Sequence, residues 1–353
     1  MHIHRIILMA SAALLAGCAA EVPENWGVQV NGQWIPVVDV HTHTGSWEQM
    51  PPAFQERIGE RTPKGFKWTT GFVSNWMLGT GNILGQMNSA GIYGAGVFAT
   101  ISPNTTGNAT TDFVIEKTAG HEDRMYVFAT VRTDRWNVDS AARLEKFEDE
   151  LASLPAVKGI KMAHAHQQIR FDDERFYPIY ELAGRYGKPM YLHSGTSPNP
   201  GTRFEPEYAD PAYLEEAIRK YPDSIFILGH TGYDSKERAL TYTDSAIHLA
   251  QTYQNVYMEP GALGAERAAE VIDDYVVRLK EGKVLHKVIY GSDGVQFPGY
   301  LKLHLENYVA AMERNGYTNA EMSQVLAGNF SRLFGIEIPG LAELQASFSE
   351  GGA

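Results

Sequence analysis

Two rhythms alternate along most of the chain. Short β-branched runs recur, and between them lie longer stretches in which apolar residues return every third or fourth position. The first rhythm belongs to strands buried on both faces, the second to amphipathic helices. It predicts strands over 34–40, 92–100, 125–131, 157–162, 189–193, 224–228, 255–258 and 287–290. Helices are expected between them over 83–90, 112–119, 139–152, 174–186, 212–221, 235–253 and 265–281, with two more over 300–315 and 319–326. Gly91 and Gly187 stand where helices should stop, since glycine accepts the left-handed conformation that ends a helix. A Pro/Gly-rich loop covers 194–211, and residues 45–80 read as an irregular segment rich in aromatics, among them Trp47, Phe54, Phe66, Trp68, Phe72 and Trp76. Eight strands alternating with helices predict a parallel sheet closed into a (β/α)8 TIM barrel. The fold class is therefore α/β, with one domain over 34–340 and a tail over 341–353.

The N-terminus departs from this pattern. A short polar start with Arg5 leads into an apolar run from Ile6 to Leu15, too short to span a bilayer as a permanent helix. It ends in Leu15, Ala16, Gly17 and Cys18. This resembles a bacterial lipoprotein signal peptide over 1–17, with a lipid on the Cys18 thiol and a linker over 18–33. Cys18 is the single cysteine among 353 residues, which excludes an intrachain disulfide. The expected location is the cell envelope, at the outer membrane or facing the periplasm, with membrane contact only through that anchor. The hydrophobic share of 44% and the charged share of 20% suit a folded protein. A formal net charge of −12 argues against a nucleic-acid partner and an anionic-lipid surface. The expected partner is a small-molecule substrate; a homo-oligomer stays open.

Chemistry concentrates at predicted strand ends. His41 and His43 follow Asp39 at the end of the first strand. Alternation puts both on one face, roughly 7 Å apart along the backbone. His193, His230 and Asp293 each close a later apolar run. The interval from His41 to His193 is 152 residues, from His193 to His230 it is 37, and from His230 to Asp293 it is 63. A βαβ unit takes roughly 30 residues or more, so the groups fall on strands one, five, six and eight. All then sit at the C-terminal face, where barrel active sites lie. Imidazoles and a carboxylate suit zinc or a similar divalent ion, which acidifies water into a nucleophile.

This set resembles the metal site of the amidohydrolase superfamily, in the style of its second subgroup, which contains hydrolases, lactonases and metal-dependent decarboxylases. Gly159–Met162, Phe176–Ala183 and Gly328–Gly335 match the same style, and the resemblance covers about residues 35–336. It implies that His41, His43 and His193 bind the metal, that Asp293 binds it or takes the proton of the attacking water, and that His230 orients or deprotonates that water or polarises the substrate. With four convergent ligands and no obvious bridging group, one divalent ion per chain, zinc, is expected. Lys161 ends strand four, where some members carry a carboxylated lysine bridging two metals. His164 and His166 follow it on the same loop, and Glu259 follows strand seven; these, with Arg170 and Arg203, are candidates for substrate contact or, for Lys161, a second metal. The resulting expectation is a hydrolase acting on an amide, lactone or ester through an activated water. The alternatives are a non-oxidative decarboxylase of a small aromatic or unsaturated acid, and a non-catalytic metal-binding lipoprotein.

Overall fold

The computed structural model describes residue 23, residues 25–265 and residues 269–350; the expected signal peptide and Cys18 lie outside them. Among the described residues, seven parallel strands form one curled sheet in sequential order. They are β1 (Val37–His43), β2 (Ile92–Phe98), β3 (Met125–Ala129), β4 (Val157–Met162), β5 (Met190–His193), β6 (Phe226–Gly229) and β7 (Val256–Met258). The eighth expected strand is absent as a ladder. Its segment instead touches both edges through single parallel bridges, Val288 to Met258 and Gly294 to Thr42. The Ile289 N–H donates to Met258 O at 2.9 Å, and the Val40 N–H donates to Tyr290 O at 3.0 Å. A longer ladder fails for two local reasons. The Tyr290 N–H turns away to Val325 O at 3.1 Å, and Asp293 takes a left-handed φ of 63°, which bends the chain at the rim.

Helices α1 (Thr80–Ala90), α2 (Thr111–Thr118), α3 (Trp136–Ser153), α4 (Tyr177–Arg185), α5 (Thr243–Thr252), α6 (Ala269–Glu281) and α7 (Tyr300–Arg314) carry the outer layer. Gly91 ends α1 at φ 71°. Three expectations are corrected. The helix over 235–253 begins only at Thr243, because the Asp234 carboxylate accepts the Lys236 and Glu237 N–H groups at 3.1 Å and holds a turn there. The helix over 319–326 stops at Ser323 and passes through a π-turn at Gln324–Gly328. The segment over 45–80 is largely helical, with helices at Pro52–Arg61 and Thr70–Met77. There Trp68 is 83% and Phe72 69% exposed. The first strand is also split: Val28–Val30 and Gln33–Ile35 pair as a hairpin before Pro36, and β1 runs on to His43.

Apolar residues divide between two cores. The larger lies between sheet and helices; the smaller fills the barrel with Val38, Val40, Phe98, Phe128, Tyr191, Ile227 and Tyr257. Inward positions that carry glycine let the layers meet. A Cβ on Gly96 would stand 2.2 Å from Val40 O, a backbone atom that cannot swing aside. Gly96→Ala is therefore expected to cost about 1–3 kcal/mol, as overpacked cores do, read as a lower melting temperature in a thermal unfolding scan.

Candidate active site

Period-two alternation explains how most of the site is built. Gly159 and Lys161 on β4, Tyr191 and His193 on β5, and Tyr257 just below Glu259 at the end of β7 share the inward phase of the barrel. β1 needs one more device. Val38 and Val40 belong to the barrel interior, so strict alternation would turn His41 outward. The pairing of β1 with β2 shifts register between Asp39 and Thr42, and such a bulge changes the phase of a strand. His41 then stacks on Phe98 at 4.6 Å between ring centroids and meets Tyr191 at 4.7 Å. The bulge is tied down by Asp39. Its carboxylate accepts the N–H groups of His41 at 3.0 Å and Ser292 at 2.9 Å, and the Ser292 hydroxyl at 2.6 Å. Burial drives the Asp39 carboxyl up to about 7, against the pull of those donors.

Three atoms meet at the mouth. His41 Nε2 and His43 Nε2 are 3.1 Å apart, and each is 3.1 Å from Asp293 Oδ1. His230 joins them, and the donor atoms of His41, His230 and Asp293 lie within 4.8 Å of one another. His193 stands behind, its ring 4.5 Å from that of His230 and 4.7 Å from that of His166. His193 Nε2 is buried without a hydrogen-bond partner. The side chain of Asp293 is 25% exposed and that of His43 32%, so solvent reaches the cluster from their side.

Electrostatics follow from burial and neighbours. Burial holds His193 well below the ordinary imidazole value and brings His230 down to about 4, so both rings are neutral at physiological pH. For His41, burial disfavours the cation, but the Glu259 and Asp293 carboxylates outweigh it and the net is upward. For Asp293, burial pushes upward and the histidines pull further down, leaving the carboxyl well below its usual range. Lys161 is buried with its ammonium over the Tyr191 ring at 3.9 Å and the Phe98 ring at 4.6 Å. Burial lowers it to about 7.

The structure gathers His41, His43, His193, His230 and Asp293, with Lys161, His166 and Glu259 around them. It does not bring Arg170 or Arg203 to the cluster. Arg170 is held by Asp172 at 2.8 Å and Glu207 at 3.4 Å, and Arg203 by Glu205 at 3.3 Å, all half-exposed pairs. His164 turns away, its Nε2 2.8 Å from the Tyr180 hydroxyl among core aromatics. His166 faces Thr202 Oγ1 at 3.2 Å. Sequence reasoning missed Asp39 and Tyr191. The former stood two places before the His pair, and the latter two places before His193 on the same inward phase.

The donor set fits a divalent cation. Two imidazole nitrogens pointing at each other and at one carboxylate oxygen, with a third buried imidazole nitrogen unpartnered, leave lone pairs converging on one point. That is the environment such an ion satisfies.

The sequence model of the amidohydrolase family matches residues 87–336, and this chain belongs to that family. The match begins after β1, so His41 and His43 lie outside it. Among curated proteins, the chain is 27% identical over 127 residues to the fluG protein of Emericella nidulans; that stretch is 36% of this chain and 14% of the length of fluG. Among solved structures, an uncharacterised TIM-barrel protein from Bordetella bronchiseptica superposes with a TM-score of 0.63 at 15% identity, covering 85% of this chain and 98% of that one. A probable 2-pyrone-4,6-dicarboxylic acid hydrolase from Acinetobacter baumannii, with citric acid bound, gives 0.55 at 14%, covering 85% and 99%. A dihydroxybenzoic acid decarboxylase from a Polaromonas species, with manganese and 2-nitroresorcinol bound, gives 0.57 at 14%, covering 85% and 96%. At these identities the likeness is one of fold: a TIM-barrel-like α/β architecture.

Proposed function

We propose that the protein is a metal-dependent hydrolase that adds water to an amide, lactone or ester bond of a small molecule. The observation that carries this reading is the Asp293 carboxylate. It is ionised, partly open to solvent, and lies 3.1 Å from the Nε2 atoms of both His41 and His43. His41, His43, His193 and Asp293 would hold a single zinc ion, and His230 is close enough to share in that task. A bound divalent ion supplies Lewis acidity toward a carbonyl oxygen and acidifies water. The residues do the rest. Asp293 accepts the proton lost by the attacking water, from the solvent side of the cluster. His230, neutral by burial, hydrogen-bonds the substrate oxygen or passes that proton on to the leaving group. Phe98 and Tyr191 wall the inner side and exclude bulk water.

One observation favours decarboxylation as a second reading. Among the described residues Lys161 has no carboxylate within 4.0 Å, so its ammonium can hold a substrate carboxylate. Two structural neighbours, a hydrolase of a pyrone dicarboxylic acid and a decarboxylase of a dihydroxybenzoic acid, act on acids by their names. Zinc- or manganese-loaded protein incubated with lactones, amides and aromatic acids separates the two. Hydrolysis products without carbon dioxide are the expected outcome; carbon dioxide release from an aromatic acid alone would overturn it.

The reading extends to location. Leu15 to Cys18 supports a lipid anchor, and among the described residues no helix is long and apolar enough to cross a membrane. Cys18→Ala is expected to release the protein from washed membranes into the soluble fraction. Retention as firm as before would remove the anchor from the account.

A further inference from the structure

The carboxylate of Glu259 is fully buried and is engaged at both oxygens. Oε1 lies 3.1 Å from His41 Nδ1. Oε2 accepts the Tyr191 hydroxyl at 2.8 Å and the backbone N–H of His230 at 3.0 Å. The backbone carbonyl of Glu259 accepts the Thr231 hydroxyl at 2.9 Å. One residue at the end of β7 thus grips the ends of β1, β5 and β6.

We propose that Glu259 is a positioning residue that sets the tautomer of His41 and the backbone aim of His230, and that it is neither a ligand nor a substrate contact. The inference rests on the metal-site reading above. The proton count gives the first half. Tyr191 Oη sits 2.8 Å from His41 Nδ1, but its single proton goes to Glu259. Facing a carboxylate and a phenol oxygen whose proton is already committed, His41 Nδ1 must be the donor. In the neutral ring that a metal ion requires, Nε2 then carries the lone pair, and it is Nε2 that faces His43 and Asp293. Partners of this kind on the far nitrogen fix ring orientation in metal-binding histidines and raise ligand basicity.

Backbone geometry gives the second half. His230 and Thr231 both hold left-handed φ values, 58° and 47°. Two such residues in succession are unfavourable for L side chains. The surroundings must hold them, and Glu259 does so twice, through its side chain at His230 and its main chain at Thr231. The space has been cleared for this arrangement. A Cβ on Gly291 would stand 2.2 Å from Glu259 Oε1, and one on Gly261 2.0 Å from His230 Nδ1.

The test compares wild type with Glu259→Gln, a near-isosteric change that removes the charge. Zinc affinity is read by competition with a chromogenic chelator on metal-stripped, folded protein, and imidazole tautomers by nitrogen-15 NMR of histidine-labelled protein. Loss of a partner of this kind costs on the order of 10–100-fold in metal affinity, and that loss is expected, with His41 redistributed between its tautomers. Unchanged zinc affinity and an unchanged His41 signal in the variant would overturn the proposal. Should the variant fail to fold, the wild type alone decides. A neutral His41 ring protonated at Nδ1 supports the proposal, and a neutral ring protonated at Nε2 alone, or zinc bound through Nδ1, refutes it. A wild type that binds neither zinc nor manganese would instead remove the metal-site reading itself, whatever the tautomer.

Discussion

His41→Ala, purified under conditions that leave wild type loaded, is expected to come out without its ion and with turnover at background. Among the described residues no other side chain touches so many members of the site. His41 meets His43 and Asp293 through Nε2 and Glu259 and Tyr191 through Nδ1, and its ring packs on Phe98. Its removal leaves the Glu259 carboxylate buried with one partner fewer. Leaving a buried acceptor without one of its hydrogen-bond donors costs about 1–3 kcal/mol, so part of the effect will be lower stability. Elemental analysis beside a thermal scan separates the two. A variant that keeps a full complement of metal would show that the ion is held without His41, by the remaining His43, His193, His230 and Asp293.

His230→Ala carries the second large effect and settles a division of labour. The family resemblance implies for His230 the part of a proton-handling group beside the ion. The structure sets its ring close enough to His41 and Asp293 to act as a ligand. A positioned acid–base group contributes about 10²–10⁴-fold in rate. If that is its task, the variant keeps most of its metal and loses at least ~10²-fold in turnover. If metal and turnover vanish together, His230 is a ligand and proton transfer falls to Asp293 alone. Full activity with full metal would leave His230 a structural residue. Measuring both quantities on one preparation distinguishes all three.

Much of this site was legible because strand periodicity is strict and apolar runs are short. The alternation of β5 that buries Tyr191 brings His193 inward, and glycine punctuation at Gly91 marked a helix end within a residue. What could not be read was whatever depends on a neighbour in space. The bulge that turns His41 inward is set by Asp39 reaching Ser292, 253 positions away. The late start of α5 depends on which N–H groups the Asp234 carboxylate captures. Arg170 and Arg203 looked free in the sequence because Asp172, Glu207 and Glu205 had no assigned direction. The aromatic segment after β1 looked irregular because its helices bury little, so their apolar residues keep no clean helical period.

The seam between β1 and the segment over 288–294 has a further consequence for how the protein comes to be active. Two single bridges and a few hydrogen bonds join the barrel's edges there, while the other strand pairs share longer ladders. Such a joint closes a loop of most of the domain, a large entropic step, and belongs at the low end of local stability. Asp293 and His43 sit on it. The half-formed barrel would therefore hold His193 and Glu259 long before it holds a complete site, and competence would arrive only with closure. In hydrogen exchange the amides of His43 and Gly294 should open before those of β3 and β4. An ion bridging the seam would slow that opening, acting as a clasp on the barrel as well as a reagent within it.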